Sequence, residues 1–198
     1  MTVAIVKYNA GNIFSVVNAI RRLGIEPLLT DRAEELRTAD KVLFPGQGEA
    51  RNAMTYLREH QLDTVIRNLQ QPVLGICIGQ QLLCRHSEEG DTDCIGIFNT
   101  DVKRFNPIQH EDKVPCMGWN TLYDLSSPIF KGIKEETLPY VYFVHSYYVP
   151  LCDETIATAD YIHPYSAALH KDNFYATQFH PEKSGSIGEM ILKNFLEI

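Results

Sequence analysis

The segment Gly75-Ile76-Cys77-Ile78-Gly79 sets a thiol between two glycines at the end of an apolar run that begins at Val73. A thiolate is a nucleophile for acyl transfer, and the positive end of a helix favours it over the thiol. The glycines leave room for a sharp strand-to-helix turn that presents the side chain, the logic of a nucleophile elbow with cysteine in place of serine. Most cysteines are small buried hydrophobes, so this reading needs a base. His180 and Glu182, in Gln178-Phe179-His180-Pro181-Glu182, supply a base and an orienting carboxylate. In an extended segment residues two apart project to the same side, and Pro181 stiffens the piece between them. The same residues would also suit a strand ending in a turn with a solvent-facing glutamate. Cys77, His180 and Glu182 together shift the balance to catalysis.

A third stretch, Phe44-Pro45-Gly46-Gln47-Gly48, could turn backbone N–H groups inward as an oxyanion hole requires, although a plain strand-to-helix turn looks similar. The other four cysteines lack the elbow setting: Cys84 reads as core within a helix, and Cys94, Cys116 and Cys152 stand in unremarked strands and turns. Five cysteines without a CxxC pair suggest neither a disulfide framework nor a zinc site. We therefore expect a reducing, cytoplasmic setting, no metal and no cofactor.

The elements that must position these groups follow from periodicity. In the first half, residues 2–8, 26–30, 41–46 and 72–77 read as strands. They alternate with helical patterns at 12–24, 33–39, 52–70 and 79–89. Ile13, Val16, Val17, Ile20 and Leu23 recur at helical spacing, and Gly24 closes that helix. Alternation of this kind implies a parallel sheet covered on both faces. The second half holds closely spaced strand-like segments up to Glu182. A last helix follows, with Ile187, Met190, Ile191, Phe195 and Ile198 on or near one face. The expected fold is one α/β domain over residues 1–198: an open, mostly parallel central sheet with helices on both faces and added antiparallel strands. A net charge of −7 argues against nucleic-acid and anionic-membrane surfaces, and no apolar run approaches the roughly 20 residues that cross a bilayer.

Gly75, Cys77, Gly79 and Gln81, joined to His180-Pro181-Glu182, resemble the class I (triad) glutamine amidotransferases, whose sheet is flavodoxin-like. More narrowly, "YNAGN", "FPGQG", "GICIGQQLL", "SEEG", "MGWN", "YFVHSYY" and "QFHPEKSG" resemble the glutaminase subunits of imidazole glycerol phosphate synthases. The resemblance implies Cys77 as nucleophile, His180 as acid and base, and Glu182 as its orienting group. It also implies oxyanion donors at Gln47 and Ile78, and L-glutamine held by Gly46, Gly48, Gln81, Glu89, Ser146 and Tyr147. Ammonia would pass to a (β/α)₈-barrel cyclase subunit, forming a heterodimer that makes imidazole glycerol phosphate in histidine biosynthesis. Asn12, Trp119, Tyr142 and Lys183 match the subunit interface. Each has a plainer reading: a helix N-cap, a core or interface ring, a strand aromatic and a solvated charge. Gln47, Gln80 and Cys116 depart from the usual pattern. The rival readings are a paralogous glutaminase feeding a sugar-amidating synthase, a cysteine peptidase on a similar fold, and a non-catalytic binding module.

Overall fold

The computed structural model describes residues 1–9, 11, 13–134 and 137–198. The first half alternates as expected. β1 (Val3–Val6), α1 (Ile13–Arg22), β2 (Leu28–Thr30), α2 (Ala33–Thr38) and β3 (Lys41–Gly46) are followed by α3 (Ala50–Glu59), α4 (Leu62–Arg67), β4 (Val73–Cys77) and α5 (Ile78–Leu83). Next come β5 (Cys84–Ser87), β6 (Thr92–Asp93), β7 (Phe98–Arg104), β8 (Cys116–Thr121), β9 (Tyr140–His145) and β10 (Tyr147–Tyr148). β11 (Thr155–Tyr161), β12 (His163–Lys171), β13 (Phe174–Thr177) and α6 (Gly185–Glu197) complete the chain.

The central sheet has seven strands in the order β11-β12-β13-β4-β3-β1-β2. Its five strands from β13 to β2 pair in parallel, and β12 and β11 are added antiparallel. The period-2 alternation of the strands divides two cores. Val3, Ile5, Leu43, Leu74 and Ile76 pack with α1 and α6, whereas Ala4, Val6, Val42, Phe44 and Val73 pack with α2 to α5. Both faces are dry, which is why these strands read as unbroken apolar runs. Each large side chain so buried contributes about 1.5–3 kcal/mol.

Two helical expectations change. The pattern over 52–70 is two helices, because the apolar phase slips between Leu57 and Leu62. Gln61, at φ 57°, restores it by a left-handed turn, so both leucines reach the core. The helix expected over 79–89 stops at Leu83. From Cys84 the chain becomes β5, pairing antiparallel with β6 and parallel with β7 in a second sheet ordered β10-β7-β5-β6. In α6, Ile191 and Phe195 are buried with Leu192 and Leu196, while Met190 and Ile198 face outward. β8 and β9 form a separate antiparallel pair.

Candidate active site

β4 delivers Cys77 to the carboxyl end of the central sheet, where ligands of open α/β folds bind. Cys77 itself carries the strained conformation of the turn, φ 57° and ψ −109°, directly before the first residue of α5. The glycines beside it serve space rather than φ. A Cβ on Gly79 would overlap the Phe44 carbonyl oxygen, and one on Gly75 would meet the Gly79 backbone. α5 thus lies tight against β3 and β4, and the elbow projects the thiol.

Two further strand ends converge there. Gly46 of β3 is the register partner of Cys77. Thr177 of β13 pairs with Ile76, so the following residues 178–182 run past the sulfur. His180 Nδ1 lies 2.7 Å from Glu182 Oε1, and both side chains are 2 % exposed. His180 Nε2 has no hydrogen-bond partner among the described residues. Burial works against charge on this imidazole, but Cys77 and Glu182 outweigh it and raise its pKa to about 10. Glu182 Oε1 accepts from Nδ1–H, which leaves Nε2 as the ring nitrogen that can exchange a proton with a reacting group.

Cys77, His180, Gln47, Gly48, Ile78, Gln81, Glu89, Ser146 and Tyr147 all border one pocket of about 290 Å³. Gly46 and Glu182 lie behind it, on a cavity of about 10 Å³ shared with Gly11, Gln47 and His180. That smaller space suits one water at most. Glu89 is brought in by the turn after β5: its Oε2 accepts the Ala50 N–H of α3 at 2.8 Å, and Arg51 donates to the Gly90 carbonyl. Burial raises the Glu89 carboxyl, and the Ala50 bond opposes that.

The interface residues expected from sequence stand apart from this pocket. Trp119 and Tyr142 are register partners across β8 and β9, with ring centroids 6.0 Å apart, and Lys183 Nζ sits 5.9 Å from the Tyr142 ring. Trp119 is exposed there together with Met117 and Tyr140, while Tyr142 and Lys183 are half-buried. The backbone of Tyr142 brackets the turn from His180 to Ser184: its carbonyl accepts His180 N–H at 2.9 Å and its N–H donates to Ser184 Oγ at 3.0 Å. Asn12 lies outside the described residues.

Three residues of the site escaped the sequence reading. Tyr8 is wholly buried, its hydroxyl lacks a partner among the described residues, and a Cβ on Gly46 would strike it. Burial first, and then the neighbouring Cys77, raise its phenol. His145 borders the pocket, enclosed by Phe105, Phe143 and Tyr165; burial lowers its pKa to about 4 and keeps it neutral. Gln178 lies wholly buried against Cys77 and Gln81. The signal for Gln178 was its place two residues before His180, on the same side of the segment; Tyr8 and His145 were visible only as members of "YNAGN" and "YFVHSYY". Among the described residues no group of three or more His, Cys, Asp or Glu could hold a metal, and no helix is long and apolar enough to cross a membrane.

Comparison with known proteins places this geometry among relatives. The pattern of the family described as glutamine amidotransferase class-I matches residues 5–198. The chain is 63 % identical over 198 residues to "Imidazole glycerol phosphate synthase subunit HisH" of Bacteroides thetaiotaomicron, covering all of both chains. It is 44 % identical over 200 residues to the protein of the same name in Escherichia coli K12, again covering all of both. A solved structure described as a glutamine amidotransferase shares the fold with TM-score 0.75 at 18 % identity, over 100 % of this chain and 98 % of that one.

Proposed function

The chain belongs to the class-I glutamine amidotransferase family, and from that premise we propose that it is the glutaminase subunit of an imidazole glycerol phosphate synthase in histidine biosynthesis. The carrying observation is that Cys77, at positive φ, and His180 border one pocket, with Glu182 2.7 Å behind the imidazole. Full-length identity of 63 % to a protein of that name supports the narrower assignment.

In this reading L-glutamine enters the pocket with its amide carbon beside Cys77. Sγ attacks that carbon, and the developing oxyanion is met by the backbone N–H groups of Gln47 and Ile78. The C–N bond then breaks as His180 Nε2 gives its proton to the departing ammonia, leaving a γ-glutamyl thioester. His180, now neutral at Nε2, takes a proton from water, whose oxygen attacks the thioester. The C–S bond breaks and glutamate leaves. Glu182 holds the ring's tautomer and its positive form throughout. Gln81, Glu89, Ser146 and Tyr147 position the substrate, and Gly46 and Gly48 shape the loop beneath it.

Free ammonia in neutral water is mostly protonated and non-nucleophilic, so its use requires a shielded passage to a synthase. The face that exposes Met117, Trp119 and Tyr140, with Tyr142 and Lys183 half-buried in it, suits a docked (β/α)₈-barrel cyclase subunit. The test is glutamate release by the chain with and without that cyclase and its phosphoribosyl nucleotide. Release that rises with both present and vanishes in Cys77→Ala supports the assignment; equal release without the partner means a stand-alone hydrolase.

A further inference from the structure

The helix expected to favour the Cys77 thiolate is short: α5 has six residues, so little macrodipole stands behind the sulfur. A discrete donor lies closer. Gln178 Nε2 is 3.9 Å from Cys77 Sγ, and Gln178 Oε1 accepts from Gln81 Nε2 at 3.0 Å. The same Gln81 Nε2 donates to the Tyr147 carbonyl at 3.1 Å. We infer that Gln178 is a positioning residue whose amide is locked, by this chain of hydrogen bonds, with an N–H aimed at the nucleophilic sulfur.

The lock follows from one backbone atom. A carbonyl oxygen can only accept, so the Gln81 atom facing Tyr147 is its nitrogen. The Gln178 atom facing that nitrogen is then its oxygen, which leaves the Gln178 nitrogen toward the sulfur. Rotating either amide would set oxygen against oxygen or nitrogen against nitrogen. His145 reinforces the anchor. Its Nδ1–H donates to the same Tyr147 carbonyl at 2.7 Å, and its Nε2 accepts from Tyr165 O–H at 3.3 Å. The carbonyl therefore has both acceptor positions in use, and the order Tyr165, His145, Tyr147, Gln81, Gln178, Cys77 joins the substrate-binding strand to the nucleophile.

A donor reaching sulfur stabilises thiolate over thiol, because hydrogen bonds to an ion are the stronger kind. The thiol gives its own proton to the Val144 carbonyl at 3.9 Å; ionisation removes that bond and leaves the bond from Gln178. The titratable groups around Cys77 are His180 with Glu182 behind it, Tyr8 beyond the end of β1, His145 on β9 and Glu89 across the pocket. A Gln178 variant leaves all of them in place.

This inference rests on the reading of Cys77 as nucleophile, and iodoacetamide alkylation of the full chain, mapped by mass spectrometry, separates the two. In the unmodified protein Cys77 should react faster than Cys84, Cys94, Cys116 and Cys152; if it does not, the nucleophile reading falls and this one with it. Given that, Gln178→Met should slow Cys77 alkylation about tenfold at neutral pH and leave the alkaline plateau rate unchanged, and Gln178→Glu should slow it further. A neutral-pH rate in Gln178→Met equal to the unmodified protein, or an equal slowing at both pH values, overturns the role of Gln178 while Cys77 keeps its own. Should either variant fail to fold, nitrogen-15 NMR of the unmodified protein decides. The Gln178 side-chain N–H resonance should move as Cys77 ionises and return after alkylation; a resonance that stays put overturns the inference.

Discussion

Gly46 and Cys77 are register partners at the carboxyl ends of β3 and β4, and the space that Gly46 leaves is filled by the Tyr8 hydroxyl. The backbone of the Gly46 loop, the strand end that carries Cys77 and a buried phenol thus meet at one point. Gly46→Ala should destabilise the protein by about 1–3 kcal/mol through overpacking and lower glutaminase activity. Tyr8→Phe removes the nearest obstructing atom and a buried hydroxyl that lacks a partner among the described residues, so it should cost little alone and restore part of the loss in the double variant. Urea unfolding of both single variants and the double variant measures this; strict additivity would show that the hydroxyl is not the obstacle.

Cys77 sits where an L-residue is strained, so this position carries a conformational cost. Cys77→Ala and Cys77→Gly should both lose glutamine hydrolysis. Cys77→Gly should be the more stable of the two by about 1 kcal/mol, since glycine adopts this conformation freely. Unfolding curves for the pair test the point, and equal stabilities would mean that the turn holds no such strain.

Two buried histidines give stability opposite slopes with pH. His180 is raised to about 10 from an unfolded value of about 6.5, so the native state binds more protons across that window. Its contribution is full below about pH 6.5 and is lost as pH rises toward 10. His145 is lowered to about 4, so the unfolded state binds more protons between about 4 and 6.5, and stability is lost as pH falls through that range. Glu182→Gln should flatten the alkaline slope and His145→Gln the acid slope. Denaturant unfolding across pH checks both; an unchanged slope in either variant rejects that assignment.

Trp119 is 56 % exposed, and its ring packs edge-on against Tyr142. Trp119→Ala should leave the stability of the isolated chain within about 0.5 kcal/mol. It should weaken cyclase binding by 1 kcal/mol or more, about fivefold, as expected of an aromatic anchor. Calorimetric titration with the cyclase measures the binding, and unaltered affinity would place the interface elsewhere.

Gln47 follows directly on β3, before Gly48 at φ 132°. Gln47→Pro removes the backbone N–H and should cut stimulated glutamine hydrolysis by about a hundred- to thousand-fold, whereas Gln47→Val keeps the donor and should be mild. Full stimulated activity in a folded, partner-bound Gln47→Pro protein would exclude this N–H as the oxyanion donor.

The alternation of apolar runs and helical periods was sufficient to read the parallel half of the sheet, and the glycines around Cys77 to read its turn. These are local matters of period and steric room, carried by neighbouring residues. Period alone misjudged residues 79–89. The pattern there suits a helix, but His86 and Ser87 find strand partners in both β6 and β7, and a helical period carries no sign of such pairing. Period also joined α3 to α4, because one left-handed residue, Gln61, resets the apolar phase. The pairing of Cys77, His180 and Glu182 was legible from residue chemistry and from resemblance. The company of Tyr8, His145 and Gln178 was not. Each is an ordinary strand or turn residue until the fold brings the ends of β1, β9 and β13 to the end of β4. Only that packing removes the water that would otherwise solvate their polar atoms, and dry, fixed partners are what turn a tyrosine, a histidine and a glutamine into parts of one site.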